Sequence, residues 1–112
     1  MIRRPDIQQS LQEFKIEMIG NFKEELQDVV DREFLDEYIA VINRSMDNAI
    51  NLSIHDPQEA VKHLHVAFHI YRNIMRGFAG RDPPMEMFKR YREMIDLLHD
   101  RFPPFRGRPL MN

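Results

Sequence analysis

Apolar residues return at every third or fourth position in four successive stretches of this chain, the period of one face of an α-helix. The first stripe is Ile7, Leu11, Phe14, Met18, Phe22, Leu26 and Val29, which predicts a helix over about 6–30. Leu35, Tyr38, Ile39, Ile42, Met46 and Ala49 predict a second over about 32–53. The third and most apolar stretch, 57–78, carries Ala60, Val61, Leu64, Ala67, Phe68, Tyr71, Ile74, Met75 and Phe78. The fourth, over about 83–102, carries Met87, Phe88, Tyr91, Met94, Ile95, Leu98 and Phe102. Val66 and Ile70 fall off the third stripe, on the far side of that helix. A helix apolar on both sides is usually covered on both sides, so the third is expected at the centre, with the other helices or a second protein around it.

The boundaries follow from local chemistry. No glycine or proline separates the first two stripes, yet on one continuous helix Leu26 would point roughly 160° away from Ile42. A break near Asp28–Asp31 removes that conflict, with Asp31 as N-cap and Glu33 in the first turn. A continuous helix of about fifty residues would instead imply a dimer. His55-Asp56-Pro57-Gln58-Glu59 is a helix start: Asp56 caps, Pro57 takes the first helical position and Glu59 can reach back to the cap amide. Gly77 and Gly80 are expected to stop the third helix, and Asp82-Pro83-Pro84 to start the fourth as Asp56-Pro57 starts the third. From Phe102 the run Pro103-Pro104-Phe105-Arg106-Gly107-Arg108-Pro109 cannot continue a helix and favours an extended course. The pattern predicts one all-α domain over 1–102, an up-down four-helix bundle, followed by an extended proline-containing C-terminal tail over 103–112.

Composition narrows the function classes. At 112 residues, 43% hydrophobic and 30% charged, the chain has the size and make-up of one ordinary globular domain. The absence of cysteine excludes disulfides, thiolate metal sites and cysteine nucleophiles. No apolar signal core follows Met1 and no run approaches the roughly 18 apolar residues of a membrane span, so the expected setting is cytoplasmic, with no membrane partner. The net charge of −2 hides an asymmetry: residues 1–56 hold 6 basic against 12 acidic side chains, residues 57–112 hold 10 against 6. Pairing of the two halves inside one bundle accounts for this. A basic face for an acidic partner is the functional alternative, and nucleic acid is the weaker form of it, since no binding motif accompanies the charge.

Candidate chemistry centres on histidine. His65 and His69, four apart, share a helix face with Arg72 and Arg76. A His-x-x-x-His pair can hold a metal, but two guanidiniums beside it repel cations and favour an anion or carboxylate. The bland reading is a row of boundary residues whose arginine stems cover apolar edges. Asp96 with His99, and Glu59 with His63, are looser pairs. A phosphoryl-accepting histidine would want small residues and lysine around it, and Leu64, Val66 and Phe68 are bulky and apolar. No glycine-flanked serine, phosphate loop or singled-out carboxylate pair supports catalysis, so neither enzyme activity nor a cofactor is expected. The eight methionines fill irregular cores and also line adaptable partner surfaces. The expected function is a small helical interaction protein: an adaptor, regulator, chaperone or immunity-type inhibitor that binds another protein. Its expected contact residues are the off-stripe Val66, Ile70, Met85 and Leu97 with Phe102, Phe105, Arg106 and Arg108 of the tail, and a homodimer through Val66 and Ile70 belongs to the same reading. The alternative is a metal- or anion-binding bundle on the His65, His69, Arg72 and Arg76 flank.

Overall fold

The computed structural model describes residues 6–103. They form four packed α-helices: α1, Ile7–Leu26; α2, Arg32–Leu52; α3, Pro57–Ile74; and α4, Met85–His99. Among the described residues there is no strand.

Capping chemistry sets most of the starts. The Asp6 carboxylate accepts from the Gln8 and Gln9 amides at 3.0 and 3.4 Å, satisfying two of the donors that a helix leaves open at its N-terminus. The break between α1 and α2 is real: residues 27–30 form a turn in which the Val29 and Val30 amides both donate to the Leu26 carbonyl. Asp31 is the N-cap of α2 through its backbone, with no side-chain cap bond, and its carbonyl accepts from Leu35 at 2.9 Å. At α3, Asp56 accepts from the Glu59 amide at 3.2 Å and Pro57 sits in the first turn. Glu59 does not reach back to the cap; it pairs with Lys62 at 3.2 Å instead.

Two expectations fail at the far end of α3. The helix does not stop at Gly77 but widens into a π turn, Met75–Ala79, which ends at Gly80 in the left-handed region, φ 72°. Only glycine adopts that conformation without a Cβ penalty. Asp82 is not the cap of α4, which starts later, at Met85 after Pro84. Its carboxylate is drawn to two guanidiniums instead, 3.6 Å from Arg72 and 3.3 Å from Arg76. Helix α1 also stops short, at Leu26, so Val29 leaves its stripe and stands 50% exposed, and Phe78 in the π turn is 47% exposed. The π turn advances each residue by less than 100°, so Phe78 lags the phase of the α3 stripe.

The core is one cluster drawn from every helix, with Leu11, Phe14, Phe22, Ile42, Leu64, Tyr71 and Leu98 among its fully buried members. Helix α1 packs on α2 and α4, α2 on α3, and α3 on α4. Large rings bridge the diagonal between α1 and α3: Phe14 meets Phe68 and Phe22 meets Tyr71, each pair with centroids 6.2 Å apart. Tyr71 donates to Asn21 Oδ1 at 2.6 Å, so its buried hydroxyl has a partner. Burial, with the Glu25 charge as a lesser cause, pushes the Tyr71 phenol far above its ordinary value.

Candidate functional site: a groove between α3 and α4

Phe68 organises a concavity between α3 and α4. Its ring stacks on Tyr91 at 4.2 Å and 8°, and meets Phe88 edge-on at 5.3 Å. These contacts hold α3 and α4 together along one edge and leave an open groove of about 750 Å³. The apolar floor is Val61, Phe68, Phe88, Tyr91 and Ile95; the polar rim is His65, His69 and Arg72 from α3 with Arg92 and Asp96 from α4.

The rim is ordered by specific contacts. His65 Nδ1 lies 2.7 Å from the Tyr91 hydroxyl. Burial raises the Tyr91 phenol above its usual range. His69 Nε2 accepts from the Asn73 amide at 3.0 Å, and the two imidazoles stack with centroids 5.9 Å apart. The Arg72 guanidinium lies over the Phe88 ring, 5.5 Å from its centroid, a cation–π contact. Arg72 Nε is buried without a hydrogen-bond partner, because Asp82 at 3.6 Å is beyond bonding reach.

Of the flank read from sequence, His65, His69 and Arg72 all line this groove, while Arg76 turns to Asp82. Asp96 joins the rim, whereas His99 stacks on Phe102 at 4.8 Å. No three His, Asp or Glu side chains among the described residues are grouped to hold a metal ion. One nitrogen of each groove histidine is already bonded, and Arg72 stands beside them, so the donor set suits an anion better than a cation.

The expected contact residues are dispersed. Val66 and Met85 stand 45% and 73% exposed, but Ile70, Leu97 and Phe102 are half-buried, Ile70 and Leu97 packed against the core. Phe105, Arg106 and Arg108 lie outside the described residues, as does the remainder of the expected tail beyond Pro103. Periodicity assigned Phe68, Phe88, Tyr91 and Ile95 to the core, and it was silent on their second role as a groove floor. Phe34 was missed altogether: it meets Phe78 at 5.0 Å and, with Val29, Val30 and Asp31, lines a smaller hollow of about 250 Å³ at the α1–α2 turn. Its position one residue before Leu35, off the stripe, was the available signal.

No protein family, curated protein or solved structure matches this chain.

Proposed function

We propose that this protein is a helical protein–protein interaction module, without catalytic activity, that docks another protein in the α3–α4 groove. The observation that carries the reading is the groove: an aromatic and aliphatic floor ringed by a few convergent polar side chains, the make-up of a recognition site. Opening onto solvent along two helices, it suits a segment of another chain that presents apolar side chains in a row. An up-down order of helices belongs to this reading. It is supported by contacts between consecutive helices and by the pairing of Lys15 with Asp47 and of Gln8 with Ile50 across α1 and α2. A cytoplasmic setting remains part of the proposal; no helix among the described residues is long and apolar enough to cross a membrane.

Photo-crosslinking tests it. A benzophenone amino acid is placed at Val61 or Arg92 in the groove and, as controls, at the exposed Glu13 and Glu37 of α1 and α2. Expressed in its native host, the groove variants should form a discrete adduct with another protein that the controls do not form. Equal adducts from all four positions, or none from Val61 and Arg92, would remove the groove as the docking surface.

A further inference from the structure

The groove has a charge imbalance that its own fold leaves uncorrected. At the end nearest Phe88, the groove arginine Arg72 shares the Asp82 carboxylate with Arg76, which lies outside the groove, so Arg72 has only part of a negative charge to meet. Arg92 lies on the α4 rim next to Tyr91 and forms no ion pair within 4 Å among the described residues. His65 and His69 stand between, both exposed. The one acidic group on the rim, Asp96, sits at the other end. The contacts fix this order: His65 meets Tyr91, Phe68 meets both Tyr91 and Phe88, and Arg72 meets Phe88, so numbers rise along α3 as they fall along α4. Asp96, beyond Tyr91, therefore lies towards Val61.

We propose that the groove binds an acidic segment of another protein, seating an aromatic or branched aliphatic side chain on Phe68, Phe88 and Tyr91, one carboxylate against Arg72 and another, about a helical turn along the groove, against Arg92. The proposal rests on the groove being the docking surface and adds the chemistry and polarity of its occupant. Planar guanidiniums take a carboxylate in bidentate fashion, and Arg72 is held in place by the Phe88 ring beneath it and Asp82 behind it. A basic segment would meet the guanidiniums of Arg72 and Arg92 on the groove rim, an unfavourable match. Asp96 reverses the preference at the Val61 end and so orients the segment, with its acidic residues towards the Arg72 end and a neutral or basic residue at the other. Val61 to Arg72 spans eleven residues of α3, roughly 16 Å at the helical rise, so a segment of about three helical turns fills the groove.

The test uses capped synthetic peptides of twelve residues that carry Phe and Leu four apart. One series has Glu, Gln or Lys flanking the apolar pair, and each peptide is titrated into isotope-labelled full-length protein by NMR. The Glu peptide should shift amides of α3 and α4 around Phe68 and Tyr91, weaken with added salt, and bind at least about tenfold better than the Gln peptide. Arg92→Gln, at an exposed position, should reduce Glu-peptide affinity about tenfold or more while leaving the far-UV circular dichroism unchanged. Arg72→Gln should do the same, and if it disturbs the fold the Arg92 variant still decides. Gln and Glu peptides binding the groove equally well would overturn the acidic chemistry while leaving the groove as a docking surface. Failure of every peptide to shift groove amides at millimolar concentration would overturn both. Groove shifts that instead follow protein concentration alone would make the occupant a second copy of this chain and also overturn the proposal.

Discussion

Replacing Phe68 by alanine removes the side chain on which α1, α3 and α4 converge. The ring is 5% exposed, and four other rings lie within 6.2 Å of it: Phe14, Tyr71, Phe88 and Tyr91. Phenylalanine-to-alanine changes in a packed core cost about 3–5 kcal/mol, from lost transfer free energy and the cavity left behind. Here the vacated space opens into the groove, so water fills part of it and the cavity contribution shrinks. The lower end, about 3 kcal/mol, is the expected loss. Against a typical domain stability of about 5–15 kcal/mol that is a large fraction. It corresponds to a fall in melting temperature of about 12–24 °C for a domain near this size. Urea unfolding followed by circular dichroism should show a lower midpoint with an unchanged slope. The neighbouring Val66, exposed on the opposite side of the same helix, supplies the control: Val66→Ala should change stability by less than about 0.5 kcal/mol. A loss under about 1 kcal/mol for Phe68→Ala, or equal losses for the two variants, would mean that α3 is rotated from the orientation described and that the groove floor is not Phe68.

Two further predictions concern single groups. Gly80→Ala should cost about 1 kcal/mol because its φ of 72° is left-handed, whereas Gly20→Ala should stabilise by up to about 1 kcal/mol, since a Cβ there meets nothing within 4 Å. Thermal melts in which both alanines shift stability in the same direction would contradict the assignment of Gly80 as the stop of the π turn. Tyr71 gives a pH dependence. Burial first and the Glu25 charge second raise its phenol above the unfolded value of 10.0, so its contribution is complete below about pH 10 and is lost as pH rises from there towards the folded value. Urea midpoints measured from pH 8 to 11.5 should fall more steeply in the wild type than in Tyr71→Phe. The variant keeps a smaller slope from Tyr91, whose phenol burial also raises, and starts about 1 kcal/mol lower at neutral pH through loss of the bond to Asn21. Identical alkaline slopes would place the titration elsewhere.

Much of the fold was legible because helix formation and capping are local. The stripes from Ile7 to Leu26 and from Ala60 to Tyr71 needed only the 3.6-residue period, and the separation of α1 from α2 followed from a phase conflict between Leu26 and Ile42 that no single helix could resolve. The errors fall where a local signal met a stronger distant one. Asp82 before two prolines reads as a cap, but Arg72 and Arg76 lie close in the fold and attract its carboxylate more strongly than open amides do. Gly77 reads as a stop, yet the chain keeps winding through the wider π turn to Gly80. The candidate site was half legible. Helical spacing placed His65, His69 and Arg72 on one flank, but it could not supply Arg92 and Asp96 from another helix, nor take Arg76 away.

By itself, then, the sequence determined that this chain is helical, where most of its helices begin, and which face of each turns inward, since period, caps and proline act within a few residues. The tertiary structure alone decided which stripe rings also floor a groove. Phe68, Phe88 and Tyr91 carry the same stripe signal as Phe14 or Leu64, and only the approach of α3 to α4 along one edge leaves them open on the other. It also decided where the Asp82 carboxylate goes. Sharing one carboxylate between two arginines is a matter of side chains ten and six residues from it meeting it in space, which no count of charges along the chain contains.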